Sequence, residues 1–243
     1  MIASQQILVL WDIDRTLLYV GDIDRQVYRE TFAEIVGRTA EHLPARGTGV
    51  TMPLAIRSLL LENGVPEADV PSLLPRMVEL LPQRLATHAD DLREQGVLLP
   101  GAVAALKAVH AQPGYVSTVV TGNLKPNALL KLEAFHLDEF LDTEIGGYSS
   151  DNDHRPALVA VAQERAEAKH GTAAFTRSNT VIIGDSLEDV RTGLEGGAPV
   201  IAVASGKTTA DELASAGADL VLDNLEDVPR LLNAIATVTH DRA

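Results

Sequence analysis

The sequence predicts an α/β fold, in which a doubly wound parallel sheet carries an all-helical insertion. Three observations support this prediction. From residue 97 onward, short apolar runs alternate with helical patterns, as βαβ crossovers require. A comparable apolar run, ILVL, stands apart at residues 7–10. Between them, roughly residues 20–95 have helical periodicity and contain no convincing strand.

The first part of the chain supplies one strand and the helices of the insertion. ILVLWD is the predicted first strand of the sheet. The helix DRQVYRETFAEIVG is expected to end at Gly37 and the helix PLAIRSLLLENG at Gly64, because glycine is favoured just after a helix. A longer helical segment covers residues 70–96, where Pro75 and Pro82 are expected to bend or divide the helix.

The second part of the chain repeats strand and helix in turn. The predicted strands are apolar, β-branched runs that end in polar turns, and the predicted helices have apolar residues at helical spacing. The strands are GYVSTVVTGN, TEIGGY, NTVIIGD, APVIAVASG and DLVLDN, and the helices are KPNALLKLEAFHL, RPALVAVAQERAEAKHG, SLEDVRTGLEGG, TTADELASAGA and the tail of the chain. This order predicts a Rossmann-like core with a mostly parallel sheet.

Composition excludes several functional classes. The 243 residues contain no cysteine, which rules out disulfides, thiolate metal sites and cysteine nucleophiles. A formal net charge of −14 opposes binding to nucleic acid and to anionic membranes. The apolar run that ends at Asp12 is too short for a signal-peptide core or a membrane span. We therefore expect a soluble cytoplasmic protein with no nucleic-acid partner and no membrane partner.

Acidic side chains follow two of the predicted strands. Asp12 and Asp14 can face one side, because residues i and i+2 of a strand point the same way. Thr121 and Asp185 end two later strands, with Asp189 one helical turn further on, and ligands of such sheets bind at these carboxyl ends. Two carboxylates about 4 Å apart repel by roughly 4 kcal/mol at an effective dielectric near 20. A divalent cation, naturally Mg²⁺, would offset this repulsion.

Each of these residues also has an ordinary structural explanation. Aspartate is a common turn former, and Asn123 is a typical helix cap. Asp189 lies three residues after Ser186, as the capping box of a helix requires. Arg155 lies near a helix start, where a solvated charge needs no special role. Their joint occurrence, each at a strand end or a helix start, favours the functional interpretation.

The motifs together resemble the haloacid dehalogenase superfamily of phosphohydrolases. DIDRT resembles the D-x-D-x-T signature, VVTGN the second motif and IIGDSLED the acidic fourth motif. LLPGAVAALKAVH resembles the start of the second crossover in phosphoglycolate-phosphatase-like members. The resemblance covers essentially the whole chain. It implies a core domain of residues 1–18 and 96–243 and a helical C1 cap domain of residues 19–95.

The resemblance implies a role for each site residue. Asp12 would attack phosphorus and form an aspartyl-phosphate, and Asp14 would act as general acid and then as general base. Mg²⁺ would be bound by the Asp12 carboxylate, the Asp14 backbone carbonyl and the Asp185 carboxylate, with Asp189 supporting the site. The implied phosphate-binding residues are Thr121, Gly122, Asn123 and Arg155.

Two positions depart from the family pattern. The third motif usually has lysine, often followed by proline, and this chain has Arg155 before Pro156. Arginine also neutralises phosphate, and does so bidentately, while Lys125 is a reserve cation. Arg15 stands where the family commonly has glycine, which puts a bulky cation beside the site.

The implied function is a Mg²⁺-dependent phosphatase for a small phosphorylated metabolite, phosphoglycolate-like or sugar-phosphate-like. Asp14 favours ester hydrolysis over carbon–halogen cleavage, because a halide needs no acid to protonate it. A phosphomutase of the same fold and a non-catalytic phosphate-binding module remain alternatives. In the insertion, the Gly-rich segment 45–56 is the candidate substrate loop, with Arg46, Thr48 and Thr51 as candidate contacts. The sequence leaves both a monomer and a homodimer open.

Overall fold

A six-stranded parallel sheet forms the centre of the fold. The computed structural model describes residues 6–45, 49–171 and 174–240. In chain order the strands are β1 (Ile7–Trp11), β2 (Leu18–Tyr19), β3 (Val97–Leu98), β4 (Tyr115–Thr121), β5 (Gly147–Tyr148), β6 (Thr180–Gly184), β7 (Val200–Val203) and β8 (Leu220–Leu222). The central sheet has the order β5-β4-β1-β6-β7-β8, and every neighbouring pair is parallel. The predicted doubly wound α/β fold is confirmed.

Helices flank the sheet and also fill the predicted insertion between β2 and β3. In chain order they are α1 (Gly21–Val36), α2 (Met52–Glu62), α3 (Val70–Thr87), α4 (Ala89–Gln95), α5 (Ala102–His110), α6 (Lys125–Ala134), α7 (Ala157–His170), α8 (Leu187–Gly196), α9 (Ala210–Ser215) and α10 (Val228–His240). Helices α1 to α4 belong to the insertion. Across the described ranges, none of the helices combines the length and the apolar character needed to cross a bilayer.

The central strand β1 positions the site. Its five residues are apolar and buried, because a strand inside a parallel sheet is covered on both faces. Val9 and Trp11 pack into one hydrophobic cluster, and Leu8 and Leu10 pack into a second cluster on the opposite face. From β1 the chain passes to β4 on one side and later to β6 on the other. Strand order therefore reverses at β1, where ligands of such sheets bind.

Two short strands, β2 and β3, close the base of the insertion. They pair antiparallel, Leu18 with Leu98 and Tyr19 with Val97. These strands escape sequence-based prediction, because two residues carry no periodic signal. The pairing brings the two ends of the insertion together at one place on the core.

Helix α3 continues through both of its internal prolines. The helix extends past Pro75 and Pro82 and ends at Thr87, and His88 separates it from α4. The prolines therefore do not divide the helix, and the alternative that they bend it stays a prediction. Met77 and Leu81 are buried one turn apart on the same face, and their packing keeps the helix continuous where propensity alone would end it.

The segment that enters α2 lies against the edge of the sheet. Met52 N donates to Gly122 O at 2.8 Å, and Thr51 Oγ1 donates to Asp153 O at 2.8 Å. A Cβ on Gly122 would lie 2.6 Å from Val50 O, so glycine is needed where the two backbones cross. The insertion thus covers the carboxyl edge of the sheet. Its division from the core as a separate domain, at the boundaries given above, remains a prediction.

Candidate active site

Polar side chains gather at the carboxyl ends of the three central strands. Asp12 follows β1, Thr121 is the last residue of β4, and Asp185 follows β6. The hydrogen bonding between β1 and β6 continues to the site, because Asp12 N donates to Ile183 O at 2.9 Å. The structure thus brings together the strand-end residues that the sequence analysis expected to converge.

Three carboxylates share one buried space. Ligand oxygens of Asp12, Asp185 and Asp189 all lie within 4.8 Å of one another, and the three residues are at most 5% exposed. Burial and the charge of Asp189 raise the pKa of Asp12 well above its usual value. The same two causes raise the pKa of Asp185 to about 8. Ionised carboxylates this close together repel one another unless a cation lies between them.

Arg155 is the cation that the core brings to this cluster. Its Nη2 donates to Asp12 Oδ1 at 2.7 Å and also to Asp189 Oδ1. Its Nη1 donates to Gly49 O of the insertion. The side chain is 1% exposed and lines the cavity beside Asp12, and its Nε–H has no hydrogen-bond partner among the described residues. An unpaired buried donor is unusual, and this one suits a phosphate oxygen.

Asp189 is held by the start of α8. Its Oδ2 accepts hydrogen bonds from Ser186 N at 2.9 Å and from Ser186 Oγ at 2.6 Å. Ser186 Oγ in turn accepts from Asp189 N at 3.2 Å, which completes the capping box indicated by the spacing. Because Arg155 occupies the other oxygen, Asp189 is suited to orienting Arg155 rather than to binding a metal directly. Asp189 therefore caps helix α8 and also orients Arg155, so the structural and the functional interpretation both apply.

Asp14 is held by a lysine that the sequence analysis did not identify. Lys131 Nζ lies 2.9 Å from each carboxylate oxygen of Asp14, 2.9 Å from Asp24 Oδ2 and 3.0 Å from Asn123 Oδ1. Lys131 is fully buried, and these partners use its three N–H donors. Burial acts to lower the pKa of Lys131, but the carboxylates of Asp14 and Asp24 raise it above its usual value. Lys131 is therefore charged, and it joins the core to α1.

The periodicity of α6 gives a weak sequence signal that Lys131 is buried. Leu124, Ala128 and Leu132 are buried at intervals of four residues. Lys131 follows Ala128 by three residues and so falls on the same buried face. A lysine on such a face requires an acidic partner. The sequence pattern contains no indication that this partner is Asp14.

Asn123 links the end of β4 to Asp14. Its Nδ2 donates to Asp14 Oδ2 at 2.7 Å and to Thr121 Oγ1 at 2.8 Å. The helix-cap explanation of Asn123 does not hold, because α6 begins after Leu124 and has no side-chain cap. Asn123 instead orients the carboxylate of Asp14. The amide oxygen of Asn123 accepts a hydrogen bond from Lys131.

The site opens into a cavity of about 120 Å³. The core contributes acidic, basic and polar side chains to its wall, and the insertion contributes mostly aromatic and apolar ones together with one acidic and one basic residue. The predicted site residues in this wall are Asp12, Asp14, Thr121, Gly122, Asn123, Arg155 and Asp185. Among the residues that the insertion adds are Tyr19, Asp24, Arg25, Tyr28, Val50 and Met52. A small ligand in the cavity would therefore contact both parts of the chain.

Of the three contacts predicted from the insertion, the structure describes Thr51, and Thr51 does not line the cavity. Thr51 is 1% exposed, is not part of the cavity wall, and uses its hydroxyl to bind Asp153 O. Arg46 and Thr48 lie outside the described residues, so their contacts stay predictions. Lys125, the reserve cation, is also not part of the wall and pairs with an acidic side chain at 3.6 Å. Of Arg155 and Lys125, Arg155 is thus the one that contacts Asp12.

The buried acidic cluster suits a divalent metal ion. When all three are ionised, Asp12, Asp185 and Asp189 bring three negative charges against the one positive charge of Arg155. Thr16 Oγ1 donates to Asp185 Oδ1 at 3.2 Å and orients that carboxylate. Oxygen ligands without histidine or cysteine are those that hard cations such as Mg²⁺ prefer. Both the ligand chemistry and the excess negative charge therefore fit such an ion.

Known proteins provide an independent comparison. The family model for haloacid dehalogenase-like hydrolases matches residues 9–193. The phosphoglycolate phosphatase, plasmid, of Cupriavidus necator is 30% identical over 178 residues, which cover 67% of this chain and 73% of that protein. The phosphoglycolate phosphatase of Caulobacter vibrioides is 26% identical over 183 residues, which cover 73% of this chain and 72% of that protein. A solved hydrolase structure from Pseudomonas syringae has the same fold, with a TM-score of 0.64, 22% identity, and coverage of 95% of this chain and 99% of its own.

Proposed function

The chain belongs to the haloacid dehalogenase-like hydrolase family and is a phosphoric monoester hydrolase, and we propose that it uses Mg²⁺ to hydrolyse a small phosphorylated metabolite through an aspartyl-phosphate. One observation carries this proposal: buried Asp12 ends the central strand, contacts Arg155 and faces a small cavity. Two curated relatives are phosphoglycolate phosphatases, which makes phosphoglycolate-like esters the first substrates to test. Sugar phosphates are the second group.

Asp12 is the nucleophile in this proposal. Its carboxylate attacks phosphorus, the bond to the leaving alcohol breaks, and the phosphoryl group is transferred to Asp12. Arg155 holds one Asp12 oxygen at 2.7 Å, which fixes the direction of the other. The Nε–H of Arg155 and the hydroxyl of Thr121 are the proposed donors to the phosphoryl oxygens, and Gly122 and Asn123 complete the phosphate pocket.

Asp14 transfers the proton. It protonates the leaving oxygen and then takes a proton from the water that attacks the aspartyl-phosphate. Lys131 and Asn123 hold the Asp14 carboxylate from two directions, which keeps it in one orientation for both steps. Its side chain is 31% exposed, so water in the cavity can reach it.

The proposed ligands of Mg²⁺ are the Asp12 carboxylate, the Asp185 carboxylate and the backbone carbonyl of Asp14. When bound, the ion neutralises negative charge on the phosphate and the carboxylates, so that an anionic nucleophile can approach an anionic substrate. Asp189 acts indirectly, because it holds Arg155 against Asp12. Thr16 orients Asp185 through the hydrogen bond described above.

Residues 19–95 act as a cap domain in this proposal. They supply one wall of the cavity, and they would limit the entry of water while the aspartyl-phosphate exists. The expected partner is a small phosphorylated metabolite. A cytoplasmic location and a monomeric or homodimeric state remain predictions.

The direct test is turnover of p-nitrophenyl phosphate with Mg²⁺ and after addition of EDTA. We expect turnover only with the metal, and we expect Asp12→Asn to lower kcat by about 10³-fold or more. The matched control is Asp211→Asn, a change of the same type on exposed helix α9, and it should keep the parent activity. Rapid acid quench with a labelled substrate should trap a hydroxylamine-labile phosphoprotein in the parent. Turnover that survives both EDTA and Asp12→Asn would refute the proposal.

A further inference from the structure

Arg15 has a backbone conformation that arginine rarely adopts. Its φ is 67°, in the left-handed region, where a side chain is disfavoured and glycine is not. Two hydrogen bonds hold this turn: Arg15 N donates to Leu18 O at 2.7 Å, and Ser205 Oγ donates to Arg15 O at 2.7 Å. Glycine could make both backbone contacts without strain. The turn itself therefore does not explain the arginine, and strain of this kind is concentrated at functional positions.

The Arg15 side chain reaches the cavity that contains Asp12. Its guanidinium carbon lies 4.3 Å from the centre of the Tyr19 ring, in a cation–π contact that fixes the plane of the group. Its Nε is buried and has no hydrogen-bond partner in the described part of the chain. The Nη groups are not closed off in this way, so the stacked guanidinium can present their N–H donors to a planar acceptor in the cavity.

The other basic side chains of the cavity wall already have partners. Arg155 and Lys131 bind carboxylates, and Arg25 donates to Pro44 O at 3.1 Å. Within residues 6–45, 49–171 and 174–240, the guanidinium of Arg15 forms neither a hydrogen bond nor an ion pair. Among the basic residues of the described wall, Arg15 is thus the one whose guanidinium is available to bind a ligand.

We propose that Arg15 binds a carboxylate on the leaving-alcohol part of the substrate, so that the enzyme selects phosphate monoesters with this second anionic group. The inference rests on the proposed phosphatase function. Arg15 follows Asp14, which protonates the leaving oxygen in that mechanism, and it stacks on Tyr19 of the insertion. Two parallel hydrogen bonds from the Nη groups match a carboxylate.

The test compares 2-phosphoglycolate with its amide, which has nearly the same shape and no carboxylate charge. With Mg²⁺ present, we expect the parent to have the higher kcat/KM on the acid. Arg15→Met should reduce the acid-to-amide ratio about 10- to 100-fold, mainly by raising KM for the acid, with a much smaller change for the amide. Arg15→Gly should reduce the ratio equally and unfold at the same temperature as the parent or higher, because glycine relieves the strain at this turn. Arg25→Met, which removes another arginine of the same wall, should keep the ratio.

Several outcomes would overturn the inference. A parent that does not prefer the acid, or a preference that survives Arg15→Met, would exclude the proposed carboxylate site while p-nitrophenyl phosphate turnover still supports a phosphatase. An equal loss in Arg25→Met would assign the preference to the general charge of the cavity. A lower unfolding temperature for Arg15→Gly would mean that the arginine serves folding. Failure of the parent on both esters and on p-nitrophenyl phosphate would instead refute the proposed function itself.

Discussion

Three carboxylates are buried close together at the proposed catalytic centre, where one arginine pairs with two of them, and their burial and mutual repulsion oppose folding. Asp185 illustrates this, since burial and Asp189 raise its pKa to about 8, whereas an aspartate in an unfolded chain has a pKa of about 3.9. The folded protein therefore holds a proton that the unfolded chain releases. The stability from this proton is complete below about pH 4 and is lost as the pH rises through about 8. Catalytic chemistry and stability thus make opposite demands on this residue.

Asp185→Asn should therefore stabilise the metal-free protein at alkaline pH. Asparagine keeps the size of the side chain and an oxygen that can accept from Thr16, and it removes the charge. We expect the thermal midpoint in EDTA at pH 8.5 to rise by about 3 °C or more, and the gain to shrink at pH 5. Mg²⁺ should raise the midpoint of the parent and leave Asp185→Asn unchanged.

Thermal unfolding followed by circular dichroism measures both effects of Asp185→Asn. The exposed change Asp211→Asn is the matched control and should move the midpoint at neither pH. A midpoint for Asp185→Asn below that of the parent, in EDTA at pH 8.5, would contradict the account of charge repulsion.

Lys131→Met should be destabilising because it leaves two carboxylates without their cation. Side chains of Asp14 and Asp24 are 31% and 22% exposed, so solvent reduces the penalty to the lower end of the range for a broken buried pair, about 3 kcal/mol. Urea unfolding should register this loss in the free energy of unfolding. The double variant Lys131→Met/Asp24→Asn should recover part of it, because one uncompensated charge is removed. Equal stability of Lys131→Met and the parent would disprove the buried ion pair.

Sequence reasoning at the residue scale succeeds where backbone geometry decides the outcome. The proximity of Asp12 and Asp185 could be predicted from the sequence, because the carboxyl ends of neighbouring parallel strands lie at the same edge of the sheet. Lys131 could not be assigned to Asp14, since 117 residues separate them and the contact depends on how α6 packs. The free edge of Arg15 depends in the same way on its turn and on the nearby ring of Tyr19.

At the scale of the helices, the junction of α3 and α4 contains a histidine with two acidic partners. His88 Nδ1 lies 2.8 Å from Asp91 Oδ2, and its Nε2 lies 3.1 Å from Glu30 Oε2. Both ring nitrogens can donate only when the imidazole is protonated. The hydrogen bonds to Asp91 and then to Glu30 raise the pKa of His88 above its usual value. Protonated His88 thus links α4 to α1.

His88→Gln should destabilise the protein more at acidic pH than at alkaline pH. A raised folded-state pKa gives stability that is fully present below the unfolded value of about 6.5 and is lost as the pH rises through the folded value. We expect a loss of about 1 kcal/mol in the free energy of unfolding at pH 5.5 and a smaller loss at pH 9. His154→Gln is the control, because its contact to Glu195 is 3.8 Å long and exposed. A loss in His88→Gln that does not change with pH would argue against the protonated bridge.

Periodicity in the sequence predicts whether a segment is a helix or a strand, but the residues at which it begins and ends depend on the segments packed against it. The apolar spacing of residues 70–96 indicates a helix, and the packing of Met77 and Leu81 carries that helix through Pro82, where sequence rules predict a break. In β2 and β3 the strand conformation exists because Leu18 meets Leu98. The local sequence does not predict such a pairing between distant segments.

At the scale of the whole molecule, one hydrophobic cluster joins the insertion to the sheet. Phe32 and Leu85 of the insertion belong to the same cluster as Trp11 and Ile183 of the central strands. The helical pattern of residues 20–95 matches the helices α1 to α4 that the structure has between β2 and β3. It contains no information on whether the insertion unfolds alone, because that depends on contacts between distant residues.

We expect the insertion and the core to unfold in one cooperative transition. Phe32→Ala in α1 removes a fully buried ring, which typically costs about 3–5 kcal/mol, and the shared cluster should transmit this loss to the sheet. Trp11 is the sole tryptophan of the chain and is buried in β1, so its fluorescence reports on the core, whereas far-ultraviolet circular dichroism reports on all helices. Both signals should shift together in urea, and the exposed control Val97→Ala should shift neither. If the fluorescence midpoint stayed at the parent value while the helical signal moved, the insertion would be an independently folding cap, and the shared cluster would not couple it to the catalytic sheet.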